Sequence, residues 1–297
     1  MKYEINNNKI QEAEQFYASF LKYTQGVFMD IGTLDINSIE KEITMLRDEI
    51  LHNRRFLLYA KTCIEPVSDE NYLASHAVRT TVIAMIIGKH LQLPHYRLLE
   101  LGMAAFLHDI GMLMLPPESY LNRLGLKVPE KELIYSHPMH SYNILKSFKC
   151  PPAVSSAALE HHERENGSGY PRKLKGQNIS LYGKIIAVAC SYEALSAKRP
   201  YKKTKDQHSG LVEMIKNEGN QYDIAIIKAL VAALSIYPIG TFVLLSNGNQ
   251  GRVFDIDPAN QHYPIVQLKE NTIIRTSNNG VSIVSTLTHE EMATLRT

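Results

Sequence analysis

Gly102-Met103-Ala104-Ala105-Phe106-Leu107-His108-Asp109-Ile110-Gly111 is an apolar helical run closed by an imidazole, a carboxylate and a glycine. Met103, Ala104, Ala105 and Leu107 favour helix, and the polar pair falls where the helix should stop. On a local reading Asp109 is a cap and Gly111 the left-handed stop. On a chemical reading the two oxygens of Asp109 bridge two cations while His108 binds one of them. Eight of the twelve histidines lie from His76 to His162, so the pair has company.

Working outward, His76 falls in mid-helix within Tyr72-Leu73-Ala74-Ser75-His76-Ala77-Val78, where a single histidine is more often a hydrogen-bonded core residue. His137-Pro138 and His140 open an amphipathic helix, and only one of the two histidines need face inward. His161-His162-Glu163 end an alanine-rich stretch and lead into the turn Asn166-Gly167-Ser168-Gly169-Tyr170-Pro171. Taken singly, each has a structural explanation. Together, five histidines and a bridging aspartate from four helices supply what a two-metal hydrolytic centre requires. Two cations a few ångströms apart acidify a shared water and neutralise charge on a phosphoryl group.

Composition limits the alternatives. A chain of 297 residues can bury one large core with a smaller appendage. The apolar and charged fractions, 44% and 21%, are those of a soluble globular protein. A net charge of +2 argues against DNA, a membrane surface or an acidic tail as partner. Cys63, Cys150 and Cys190 are too scattered for a disulfide framework, which points to a reducing compartment. The first residues lack an apolar signal core, and no apolar window is long enough to span a bilayer. The expected location is the cytoplasm.

Three regions are expected. Residues 1–63 read as a helical pair, with Phe16, Phe20, Leu21 and Tyr23 on one face of the first helix. Ile39, Ile43, Leu46, Ile50 and Leu57 do the same in the second, with Asp35 or Asn37 as its N-cap. Residues 64–237 read as helices separated by prolines: 72–91, 95–107, 130–148, 154–163, 180–198, 203–217 and 222–237. Residues 238–297 change to short β-prone runs, 241–245, 251–254, 264–268 and 281–284, separated by turns such as Asn247-Gly248. The fold class is mainly α: a helical bundle with a short N-terminal helical segment and a small C-terminal β appendage.

The order of motifs resembles one family. His108-Asp109-Ile110-Gly111, His137-Pro138, His161-His162-Glu163, Gly169-Tyr170-Pro171, Ala194-Leu195 and Arg199-Pro200-Tyr201 look like those of the HD-GYP branch of the HD-domain metal phosphohydrolases. That branch degrades the bacterial messenger cyclic di-GMP, and the likeness runs over roughly residues 70–235. The resemblance implies an HD-type bundle with two divalent ions, iron or manganese. His76, His108 and Asp109 would hold one ion, and Asp109 would bridge to another held by His137, His161 and His162. His108 and Asp109 would be the catalytic pair, with a metal-bridged hydroxide attacking phosphorus in line to give linear pGpG and GMP. Arg199 and Lys202 would contact phosphate, Tyr170 would line the pocket or brace it, and Glu163 would orient a ligating histidine.

Four positions depart from the family pattern. Met112 stands where the branch has lysine after His-Asp-x-Gly, and Cys190 where it has the aspartate completing the first metal shell. A thiolate at Cys190 is softer than carboxylate and favours zinc or iron over manganese; the other reading of Cys190 is a small buried hydrophobe. Asn166 replaces a loop aspartate, and Tyr72 replaces the glutamate of three-metal members, so two ions are the expected maximum. Met112 and Cys190 also support an alternative, a silent or very slow cyclic di-GMP receptor signalling through its N-terminal helices. A third reading is an HD-type hydrolase for another nucleotide. A second copy or a signalling partner is expected on the N-terminal helices.

Overall fold

Prolines and short polar side chains set the helix ends. A computed structural model describes residues 7–52, 71–121, 128–196, 207–257, 260–269 and 272–287. Helices α1 (Asn7–Val27) and α2 (Ile36–His52) form the N-terminal pair. Asp35 is the cap of α2, its Oδ1 accepting from the N–H groups of Asn37 at 3.0 Å and Ser38 at 3.2 Å. Next come α3 (Tyr72–His90), α4 (His95–Leu107), a 3-10 turn over Ile110–Met114 and the one-turn α5 (Pro117–Tyr120). They are followed by α6 (Val128–Tyr135), α7 (His137–Ser147) and α8 (Pro152–Glu160). The helical part ends with α9 (Leu181–Ser196), α10 (Gln207–Lys216) and α11 (Ile224–Leu234). Prolines sit in the first turn of α5, α7 and α8, where no intrahelical donor is needed.

The single helix expected over 130–148 is two helices, α6 and α7, broken at Ser136. Pro138 has no N–H to give to the carbonyl of Ile134, four residues back. That carbonyl accepts from Nδ1 of His137 instead, at 2.6 Å. One proline thus ends a helix and aims a side chain.

The core is built on α3 and α9. Residues Leu73–Gly88 of α3 are buried on every face, as are most residues of α9 from Tyr182 to Glu193. A helix apolar all round must lie inside. The N-terminal pair packs on this core: Phe106 of α4 meets the rings of Phe20, Tyr23 and Phe28 at 5.6, 6.4 and 6.0 Å. Residues of α1 and α2 and those of the central helices form one contiguous apolar cluster. Leu57 and the expected boundary at 63/64 lie outside the described residues.

After Pro238 the chain forms an antiparallel sheet in the order β4-β3-β2-β1-β5. Its strands are β1 (Phe242–Leu245), β2 (Gln250–Asp257), β3 (Asn260–Leu268), β4 (Ile273–Arg275) and β5 (Ile283–Thr286). Val243, Leu245, Val253 and Val266 make its own small core. The three-residue β4 has no counterpart among the expected strands, because so short a run carries no alternation to read. Among the described residues no helix is long and apolar enough to cross a membrane.

Candidate metal centre

The polar residues of the sequence motifs meet inside this bundle. His76 comes from the second turn of α3, His108 and Asp109 from the end of α4, and His137 from the start of α7. His161 and His162 follow the last turn of α8, and Cys190 lies in α9. His76, His108, Asp109, His137, His161 and Cys190 are buried.

Helix ends orient the rings. The last carbonyls of a helix lack an intrahelical donor. His108 Nδ1 reaches the carbonyl of Ala105 at 2.7 Å, and His161 Nδ1 that of Ala158 at 2.8 Å. A carbonyl only accepts, so each of these Nδ1 atoms carries the proton and each Nε2 carries a lone pair. His137 is set the same way by Ile134.

All four Nε2 atoms then face Asp109. Its Oδ1 lies 3.1 Å from His137 Nε2 and 3.3 Å from His161 Nε2. Its Oδ2 lies 3.5 Å from both His76 Nε2 and His108 Nε2. The nitrogens also crowd one another, His137 to His161 at 3.2 Å and His76 to His108 at 3.3 Å. Oδ1 of Asp109 is buried without a hydrogen-bond donor. An orphaned carboxylate oxygen ringed by imidazole lone pairs is costly by itself and is relieved by cations between them.

Two donor sets result: Asp109, His137, His161 and His162, and His76, His108 and Cys190, each with ligand atoms mutually within 4.8 Å. Ligands about 2.0–2.3 Å from one ion lie up to about 4.6 Å apart, so both sets fit a divalent cation. The first is imidazole and carboxylate; the second adds a thiol, Cys190 Sγ being 3.5 Å from His76 Nε2.

At His108, Asp109, His161 and His162 the protonation states agree with ligation. Burial drives the His108 pKa down to about 3, despite the opposing pull of Asp109. Burial likewise lowers His161, and takes His162 well below its ordinary value with help from the neighbouring His161. Burial alone would raise Asp109, but His108 and the other histidines outweigh it and hold the carboxyl well below the usual range. Neutral imidazoles around an anionic carboxylate are the forms that bind metal.

His76 is oriented by a residue absent from the sequence motifs. Its Nδ1 meets Glu193 Oε2 at 2.5 Å, and Glu193 Oε1 pairs with Arg79 Nε at 2.9 Å. Burial opposes charge on His76, but Glu193 prevails and its pKa is raised well above the ordinary value. The available signal was a carboxylate three residues after Cys190, on the same face of an otherwise apolar helix.

Two expected roles change, those of Glu163 and Gly111. Glu163 does not orient a histidine: its oxygens accept from the N–H groups of Arg172 at 2.7 Å and Leu174 at 2.9 Å, bracing the loop after Gly-Tyr-Pro. Glu160 holds that loop too, pairing with the Arg172 guanidinium and accepting from the N–H of Ser180. Gly111 is no left-handed stop, as its φ is not positive. A Cβ there would sit 2.3 Å from the carbonyl of His137 and 2.5 Å from the N–H nitrogen of Ser141, so the glycine lets α7 press against the His-Asp turn. Tyr170 stacks on His162, 4.6 Å and 21° away. Asn166 accepts from the N–H of Ser168 and donates to Asn220 Oδ1, a bond aspartate cannot make. Met112 is buried, and Tyr72 stacks on His76 at 6.3 Å. Arg199 and Lys202 lie outside the described residues.

Comparison with known proteins agrees with this architecture. Residues 49–226 match the family model described as HD domain. The chain is 30% identical over 201 residues to the cyclic di-GMP phosphodiesterase PdeB of Borreliella burgdorferi, covering 68% of this chain and 53% of the relative. It is 36% identical over 190 residues to the cyclic di-GMP phosphodiesterase PA4108 of Pseudomonas aeruginosa, covering 63% and 45%. It thus spans about half the length of these curated relatives. Its fold is that of Bd1817, an HDG"Y"P protein from Bdellovibrio bacteriovorus, with a TM-score of 0.64 at 15% identity over 77% of this chain and 73% of that one. With its His108-Asp109 pair and its Gly169-Tyr170-Pro171 turn, the chain belongs to the HD-domain family, in its HD-GYP branch.

Proposed function

We propose that this chain is a metal-dependent phosphodiesterase that opens cyclic di-GMP to linear pGpG, with GMP as the product of a second cleavage. The observation that carries the reading is the division of Asp109: one oxygen faces His137 and His161, the other His76 and His108. The names of the relatives supply the substrate.

His76, His108, Cys190 and Asp109 would hold one divalent ion; Asp109, His137, His161 and His162 would hold the other. Iron or manganese suits the set of Asp109, His137, His161 and His162, and zinc becomes competitive in the set of His76, His108 and Cys190 through the thiol. Bound there, the pair supplies an acidified water and positive charge against the phosphoryl oxygens. Asp109 keeps the two positions in register, and the Nδ1 hydrogen bonds hold the rings at the angle ligation needs. Arg199 and Lys202 are proposed to grip phosphate, with Tyr170 lining the pocket. The proposed organisation is 1–63, 64–237 and 238–297, in the cytoplasm, with a second copy or signalling partner on the N-terminal helices.

The test is hydrolysis of cyclic di-GMP with manganese or iron(II), run beside metal analysis. The wild type should turn over, and Asp109→Ala or His161→Ala should lose metal and activity together. Undiminished hydrolysis in those variants would overturn the proposal. Nucleotide binding without turnover in the wild type would make the chain a receptor, as Met112 and Cys190 allow.

A further inference from the structure

His162 is held differently from the other four histidines. The rings of His76, His108, His137 and His161 are each fixed by an Nδ1 contact to Glu193 or to a backbone carbonyl. Among the described residues no hydrogen bond reaches the His162 ring. Its neighbours are rings. Tyr170 stacks on it at 4.6 Å, and Tyr135 stacks on Tyr170 at 4.1 Å and 20°. The three make a ladder from the metal centre to the surface, where Tyr135 is 48% exposed.

The helix that carries Tyr135 packs on the core through the partly buried Ile134. From Glu130 to Tyr135, α6 contributes no fully buried side chain. Yet its last two residues both bear on the centre. The Ile134 carbonyl takes Nδ1 of His137, and the Tyr135 ring covers Tyr170. Both effects fall on the set Asp109, His137, His161 and His162. The set of His76, His108 and Cys190 is oriented from α3, α4 and α9 without α6.

We infer that Tyr135 is a positioning residue for His162, acting through Tyr170, and that α6 is an external clasp on one of the two metal positions. The inference rests on the two-metal reading. A ring without a hydrogen bond to either nitrogen turns about its Cβ–Cγ bond unless its faces are packed. Offset stacking supplies that restraint through the shape of the ring. The Tyr135 hydroxyl is therefore dispensable and its ring is not. Loosening α6 would weaken one ion and leave the other in place.

The test is competition between a chromogenic chelator and the 297-residue chain for manganese(II) and for zinc(II). Wild type, Tyr135→Ala, Tyr135→Phe and Leu133→Ala are compared; Leu133 is an exposed residue of the same helix. His161→Ala identifies the binding step that belongs to the clasped position. That step should weaken about 10-fold or more in Tyr135→Ala, the scale of losing an outer support of a metal ligand. The other step should not move, and Tyr135→Phe and Leu133→Ala should match wild type. Unchanged binding in Tyr135→Ala, equal weakening of both steps, or equal weakening in Tyr135→Phe or Leu133→Ala would each overturn the inference. A wild type showing no step sensitive to His161→Ala would remove the two-metal reading itself, and that is visible before any Tyr135 variant is compared.

Discussion

His76 Nδ1 and Glu193 Oε2 lie 2.5 Å apart, joining residues 117 positions apart in the chain across the contact of α3 with α9. Glu193 also pairs with Arg79, so one buried carboxylate sets a proposed ligand and balances a buried guanidinium. Glu193→Gln should keep the fold and weaken the ion at His76 by about 10-fold, because the donor strength of the ring falls. Glu193→Ala should also destabilise the chain by about 3–5 kcal/mol by leaving Arg79 buried and unpaired. Chelator competition reads the first effect and urea unfolding the second; normal affinity in Glu193→Gln would contradict the assignment.

Cys190 would make the two proposed metal positions chemically unequal. Cobalt(II) bound beside a thiolate should show sulfur-to-metal charge transfer in the near ultraviolet. Cys190→Ser should abolish that absorption, and Cys190→Asp should abolish it while shifting preference from zinc toward manganese. Absorption that persists in Cys190→Ser would show that the thiol is a buried hydrophobe only.

The metal-free protein should lose stability on acidification. His108, His161 and His162 all have pKa values lowered in the fold, that of His108 to about 3. Below the ordinary value near 6.5 the unfolded chain takes up protons that the folded chain refuses, so stability falls with pH. His76 has the opposite sign: its raised pKa adds stability that is fully present below pH about 6.5, so it does not offset the loss there. Each refusing histidine contributes up to about 1.4 kcal/mol per pH unit. Urea midpoints with chelator present should drop between pH 6.5 and 5, and His108→Gln should flatten that slope.

Gly111→Ala should be among the most damaging single-methyl changes. The added carbon would lie 2.3 Å from a backbone oxygen, and backbone cannot rotate away as a side chain can. A loss of about 3 kcal/mol or more is expected in urea unfolding, with reduced metal content because His137 and Asp109 are pushed apart. A variant as stable as wild type would show that α7 can shift without disturbing the centre.

Much of this protein is legible from local chemistry. Asp35 caps α2, and prolines 94, 117 and 152 mark helix starts, because a missing or satisfied N–H acts within a single turn. The spacing of His108-Asp109, His137, His161-His162 and Cys190 likewise places the candidate donors on helix ends or inside helices. The break at Ser136 was also encoded, in Pro138, but it was obscured by an amphipathic pattern running through both helices.

What the chain could not reveal by itself depends on which surfaces meet. Glu163 and Glu193 are both carboxylates close in sequence to a proposed ligand. Only packing shows that the first braces the 172–174 loop and the second holds His76. Tyr135 lies on an exposed, unremarkable helix until the Gly-Tyr-Pro turn brings Tyr170 against it. Residue type and spacing determined the candidate donors, since ligation, capping and proline geometry are short-range. Tertiary structure decided their partners, since a buried hydrogen bond or stacked ring requires two elements distant in sequence to arrive at one place.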